Sequence, residues 1–169
     1  MDQNIENKLN YKDRFINFYN NNKIKIYSSV LFVVIALAVF IFIKQGKEQR
    51  NIVIAEKYVE AGFLISSNQK ENAKNLYEEI ILSKNSFYSI LSLNKIIEKN
   101  LIVDENKILD YFEILEESAA TKENKELIFL KKALYLIKIK KTKAANEVLK
   151  NLIEKNSNLR YIAQELIKK

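Results

Sequence analysis

The chain of 169 residues contains no His, no Cys, no Trp and no Pro, and only two Gly. Average usage would supply about 8 Pro and about 12 Gly over this length. Without Cys there is neither a disulfide nor a thiolate nucleophile, and without His as well most zinc sites are excluded. Ser-His-Asp and Cys-His arrangements both require His. An all-β fold needs Gly, Pro or Asn-Gly turns between short strands, so it is disfavoured, as is a glycine-rich nucleotide-binding α/β fold. The sequence has no P-loop, no GxGxxG, no EF-hand loop and no HExxH. The expectation is therefore a non-enzymatic, all-α protein with no catalytic residues, cofactor, metal or small-molecule substrate.

Ile (24), Lys (25) and Asn (20) dominate what is present, and Lys outnumbers Arg 25 to 3. All three are read from A/T-rich codons, so codon bias explains much of the net charge of +7. Nucleic-acid binders concentrate basic residues on one face and use Arg for bidentate contacts. Here Lys and Glu are interleaved along most of the chain, and no nucleic-acid partner is expected. The adjacent pairs Glu78-Glu79 and Glu116-Glu117 point about 100° apart on a helix and suit a solvated face. The run Lys138-Ile139-Lys140-Lys141-Thr142-Lys143 suits a solvated helix end, where Lys complements the dipole, although anionic lipid or nucleic acid would also attract it.

Residues 26–43 read IYSSVLFVVIALAVFIFI, apolar without a break from Val30 to Ile43. Eighteen helical residues span about 27 Å, close to the roughly 30 Å hydrocarbon core of a bilayer. Thirteen of them are Ile, Leu, Val or Phe, favouring insertion by about 4–8 kcal/mol. Lys23, Lys25 and Lys44 flank the run and can snorkel to headgroups. A cleaved signal peptide needs small residues after the apolar run, whereas this run ends Ile41-Phe42-Ile43-Lys44. One uncleaved transmembrane helix over 26–43, contacting the lipid bilayer, is expected. Basic residues are balanced on its two sides, so charge sets no orientation. Residues 1–25 form a short polar N-terminal tail of net charge +2. Tyr11, Phe15, Phe18 and Tyr19 could make a brief amphipathic helix there, and a disordered tail fits equally.

Residues 47–169 read as one helical domain. Apolar residues recur at three- and four-residue spacing, predicting helices over 47–67, 70–84, 87–99, 105–117, 122–139, 143–155 and 158–168. Expected N-caps are Asn68, Ser86, Asp104, Thr121, Thr142 and Ser157, with Asn68-x-x-Glu71 as a capping box. The short connections make antiparallel helical hairpins the natural unit. An internal repeat supports this. Ala61, Leu64, Ala73, Tyr77 and Ile80 recur 72 residues later as Ala133, Leu136, Ala145, Leu149 and Leu152. That spacing is about two units of about 34 residues plus slack.

Phe129, Ala133, Leu136, Ala145, Leu149 and Leu152 stand at spacings that resemble the tetratricopeptide (TPR) consensus. The Pro after the second helix and the Gly between helices are missing, and the middle hairpin (87–117) departs from the small-residue pattern. The whole layout of short tail, single span and about 120 residues of TPR-like hairpins resembles the YfgM-like family, ancillary subunits of the Sec translocon. The strings Asn85-Ser86-Phe87-Tyr88 and Leu159-Arg160-Tyr161-Ile162-Ala163-Gln164-Glu165-Leu166 are similar to its members. The resemblance implies a seven-helix TPR-like solenoid and a single-pass bacterial inner-membrane protein. It further implies a cytoplasmic N-terminus and a periplasmic domain. Its implied partners are Sec translocon subunits, periplasmic chaperones or unfolded client chains. A membrane-anchored TPR-like adaptor for cell-envelope or division machinery, facing the cytoplasm, is the alternative.

In the TPR register, Leu127, Leu130, Leu134 and Ile137 fall on the concave side of helix 122–139, with Tyr58 and Ile65 corresponding in the first hairpin. These six are the candidate partner-binding residues, since exposed apolar patches mark interaction sites. The same pattern fits a helix buried all round, with Leu159, Ile162, Ala163 and Leu166 of the last helix as its cover.

Overall fold

The computed structural model describes residues 3–168. Residues 1 and 2 of the expected tail, and residue 169 at the end of the expected domain, lie outside the described residues. Seven helices and no strand occur among the described residues: α1 (Gln3–Ser66), α2 (Lys70–Leu82), α3 (Tyr88–Glu98), α4 (Glu105–Ser118), α5 (Lys122–Lys138), α6 (Thr142–Glu154) and α7 (Arg160–Ile167). The chain divides into two units, Met1–Gln49 and Arg50–Lys169, with the boundary inside α1.

The predicted break between the apolar span and the first helix of the domain is absent, because α1 runs through residues 44–46. One Gly in Lys44-Gln45-Gly46-Lys47 costs a helix only about 1 kcal/mol, too little to end it without Pro or a cap. The polar tail likewise continues the same helix from residue 3.

In the first unit, none of the 18-residue apolar window of α1 is buried. Phe32, Phe40 and Phe42 are among its exposed side chains. This helix is long and apolar enough to cross a membrane. In a bilayer those side chains would contact lipid, with every backbone group satisfied within the helix.

The second unit has two apolar clusters. The first joins α1 to α5 and includes Ala61, Ala73, Tyr77, Ile80, Leu93 and Phe112. The second joins α5, α6 and α7 through Leu130, Ala133, Leu149, Leu152 and Ala163. The repeated alanines, Ala61, Ala73, Ala133 and Ala145, are all fully buried, as are Ile80 and Leu149. A small side chain where two helices meet lets the backbones approach, and the larger neighbours fill the space alongside. Sequential helices pack on one another, most extensively α2 on α3, α5 on α6 and α6 on α7. Helices two apart also touch. The Tyr58 and Tyr88 rings lie 5.6 Å apart, linking α1 to α3, and Lys107 pairs with Glu78 at 2.5 Å, linking α4 to α2.

The helix ends show how the chain turns without Gly or Pro. Five residues have a left-handed backbone: Asn68, Lys84, Asn100, Lys140 and Asn156. Each stands just beyond the C-cap of a helix, the position usually taken by Gly. After α1, Asn68 N donates to Ile65 O (3.1 Å) and Gln69 N to Leu64 O (2.8 Å). After α5, Lys140 N donates to Ile137 O (3.0 Å) and Lys141 N to Leu136 O (2.9 Å). These are paired Schellman bonds. Asn68 is therefore a helix stop and not the expected N-cap, and Gln69 begins α2 without a side-chain cap. Ser86 and Thr142 are not caps either. Asn85 Oδ1 accepts from Phe87 N (3.1 Å) and Tyr88 N (2.9 Å) at the start of α3. Lys141 is the N-cap of α6. Asp104 and Thr121 do cap, accepting from Asn106 N at 2.9 Å and Asn124 N at 3.2 Å. Ser157 Oγ accepts from Leu159 N (3.0 Å), one turn ahead of α7.

A left-handed residue with a Cβ costs about 1–2 kcal/mol that Gly avoids, offset partly by the greater freedom Gly has when unfolded. Lys84→Gly and Lys140→Gly should each raise stability by about 0.5–1 kcal/mol, read as a higher urea midpoint with an unchanged slope.

Candidate functional site

Three faces of α5 have different fates. Ile128 and Tyr135, seven residues apart, point into the first cluster, at 2% and 6% exposure. Leu130 and Ala133 point into the second. Between these lies a third face carrying Leu127, Lys131, Leu134 and Lys138, whose spacings of four, three and four place them on one stripe. Leu127 is 37% exposed and Leu134 44%, and Ile137 stands at its edge at 36%. Helix α5 is thus neither buried all round nor wholly free.

The six expected binding residues fall into three groups. Leu127, Leu134 and Ile137 share the open face of α5. Leu130 is 8% exposed and packs in the second cluster. Tyr58 and Ile65 are half-buried and pack on the first cluster. The Tyr58 ring stacks edge-on to Tyr77 at 5.7 Å and tilts against Tyr88. The structure brings the α5 residues into one strip and does not bring Tyr58 or Ile65 into an open groove with them. Of the expected cover, Ala163 is fully buried while Ile162 remains 47% exposed, so α7 shields Leu130 and leaves Leu127 and Leu134 open. Helix α7 is held partly by Glu126, a carboxylate only 6% exposed, whose Oε2 accepts from Asn158 N at 3.3 Å.

Helix α3 faces this strip. Between α3 and α5 lies an open hollow of about 250 Å³ lined by Asn94, Ile97, Glu98, Lys131, Leu134 and Lys138, with Phe112 and Tyr135 also on its wall. A second hollow of about 260 Å³, extending toward Ile102 and Val103, shares Ile97, Tyr135 and Lys138 with it. Lys131 Nζ donates to Asn94 Oδ1 at 3.3 Å and Lys138 Nζ to Ile97 O at 3.1 Å. Lys131 is half-buried, and that burial lowers its pKa from the ordinary lysine value. Apolar periodicity alone found Leu127 and Leu134. It missed Asn94, Ile97, Lys131 and Lys138. The signal for the lysines was their own seven-residue spacing, one step round the helix from the leucines.

No group of His, Cys, Asp or Glu suited to hold a metal occurs among the described residues. The tyrosine hydroxyls of Tyr77 and Tyr111 are pushed up by burial, at Tyr111 also by the Glu78 carboxylate. This makes them poorer, not better, proton donors. What the α3–α5 surface offers is apolar contact with a few placed donors, the chemistry of recognition.

Leu130 and Leu134 differ by one helical turn and should respond oppositely to charge. Leu130→Glu buries a carboxylate in the second cluster and should cost about 3 kcal/mol or more. Leu134→Glu should leave stability within about 0.5–1 kcal/mol. Thermal melts of the two variants check this.

Comparison of the chain with protein-family models, with curated proteins and with solved structures finds no match.

Proposed function

We propose that this protein is a membrane-anchored, non-enzymatic binder of other proteins, built as a TPR-like solenoid. One observation carries the reading. Leu127, Leu134 and Ile137 of α5 are 37%, 44% and 36% exposed, and Leu134 opens onto a trough between α3 and α5 that also holds Lys131 and Lys138. The solenoid assignment is supported by the 72-residue recurrence of buried alanines. It is also supported by packing that runs between neighbouring helices and helices two apart. Repeat arrays bury a continuous core through such neighbours and present a concave face for partners.

The layout of one apolar span followed by such a domain favours an accessory of the Sec translocon and its periplasmic chaperones. On this reading the membrane is a bacterial inner membrane, with the N-terminus cytoplasmic and the helical domain periplasmic. Unfolded or newly emerging chains would expose the apolar side chains that Leu127 and Leu134 can meet.

Two measurements test the proposal. A phosphatase reporter fused after Lys169 should be active, since the enzyme needs the oxidising side of the membrane; an inactive fusion would redirect the protein to a cytoplasmic adaptor role. A photo-crosslinker at residue 134 of the full chain, in its native membrane, should capture translocon or chaperone subunits. That capture should be lost in Leu127→Glu with the domain still folded. Capture of the same subunits by the folded variant would remove α5 as the binding face.

A further inference from the structure

We infer that the trough between α3 and α5 selects an extended acidic segment of a protein partner, whose carboxylates meet Lys131 and Lys138 and whose apolar side chains meet Leu134 and Ile97. This rests on the protein-binding reading of the same face.

The argument begins with where the charges are satisfied. Two carboxylates line the trough, Glu98 and Glu105, and both are already matched: Lys95 and Lys99 pair with Glu98 at 2.8 and 3.0 Å, and Lys141 pairs with Glu105 at 2.8 Å. Lys131 and Lys138 pair with no carboxylate among the described residues. Their partners are the neutral oxygens of Asn94 and Ile97. The two uncompensated lysines are thus the two that alternate with Leu127 and Leu134 along α5. A half-buried ammonium without a counter-ion has lost part of its hydration and gained only one neutral acceptor. The depressed pKa of Lys131 is the mark of that cost. An incoming carboxylate would supply the missing partner, giving a charge-assisted hydrogen bond stronger than the one to Asn94.

The shape fits an extended chain. The hollows of about 250 and 260 Å³ adjoin through Ile97, Tyr135 and Lys138. Each can take a side chain while the backbone runs between them along the trough. The alternation of Leu and Lys on α5 is matched by a segment that alternates apolar and acidic residues. A nucleic acid fits less well. No Arg lines either hollow, and Phe112 and Tyr135 are 2% and 6% exposed, leaving no ring face of theirs on which a base could stack.

The test uses the full-length protein in nanodiscs of uncharged phospholipid and a short fluorescein-labelled peptide of Leu, Glu and Asp. A companion peptide carries Gln and Asn in place of the acids, and fluorescence anisotropy reads binding. The acidic peptide should bind, and its amide companion should bind about tenfold more weakly, the equivalent of about 1.4 kcal/mol. The double variant Lys131→Gln/Lys138→Gln should lose the same factor for the acidic peptide and nothing for the companion. Its melting temperature should match that of the parent, because no ion pair is broken. Lys131→Met, which keeps the apolar stem, is the substitute if Gln unsettles α5. Equal binding of both peptides, insensitive to the lysines but lost in Leu134→Glu, would overturn the acidic preference and leave the protein-binding face standing. Absence of peptide binding, with crosslinks at residue 134 still formed in membranes, would likewise overturn it. An oligonucleotide that displaces the peptide at equal concentration would overturn the choice of polypeptide.

Discussion

Five of the six helix-to-helix reversals among the described residues depend on how a chain without Pro, and with no Gly outside one helix, can stop a helix sharply; only α4 ends on an extended residue, Ala119. Both Gly residues, Gly46 and Gly62, lie inside α1. Helices α1, α2, α3, α5 and α6 stop on a residue forced into the left-handed region, three times Asn and twice Lys. Asn tolerates that region better than other residues with a Cβ, because its short polar side chain can bond locally. Lys has no such help, and the strain at Lys84 and Lys140 is sustained by the packing on either side. Paired carbonyl bonds close α1, α5 and α6 within two residues, and single ones close α2 and α3, so the next helix returns alongside the last. Short, rigid reversals convert a row of amphipathic helices into neighbours.

Neighbouring helices then need surfaces that fit. The four fully buried alanines mark close approaches, and Tyr77, Ile80, Leu149 and Leu152 fill the space beside them. The two hairpins built this way do not share one core. Helix α5 belongs to the second hairpin yet contributes Ile128 and Tyr135 to the first cluster as well as Leu130 and Ala133 to its own. A helix of 17 residues that serves two cores has only a narrow face left, and that face is where Leu127, Lys131, Leu134 and Lys138 emerge. The open strip is therefore a consequence of the packing.

The sequence disclosed the helices well and their ends poorly. Three- and four-residue periodicity located each helix of the domain because burial of one face decides it. The recurrence of alanine 72 residues apart marked the tight contacts, since an alanine there is a packing requirement. Caps were harder. Asn68 followed by Glu71 has the pattern of a capping box, yet Asn serves a helix stop as readily as a start, and the absence of Gly gave the stop first claim. The continuity of α1 was hidden for a related reason: charged residues at 44–50 signal a membrane edge, but nothing in them breaks a helix. At the site, hydrophobic pattern could not separate Leu130 from Leu134. They sit one turn apart, and only the presence of α7 over one of them decides which is core. The lysines were invisible as a pair because twenty-three others surround them, and what distinguishes them is their place in the trough and their neutral acceptors, Asn94 and Ile97.

A trough of this kind would hold its ligand weakly. Two charge-assisted contacts at a partly solvated surface, with one or two apolar side chains, would give about a few kcal/mol after the ordering of an extended chain is subtracted. Weak contact would suffice if α1, which is long and apolar enough to cross a membrane, holds the domain at a bilayer. A partner held in the same bilayer meets the domain at a raised effective concentration, which lengthens occupancy without any new contact. Rapid release then follows from the small number of contacts, since affinity among related interfaces is set mainly by dissociation. For a surface that would meet many different segments in turn, two lysines and two leucines on one rigid helix impose a charge preference and little else. On the proposed reading, that combination suits transient capture better than a stable complex.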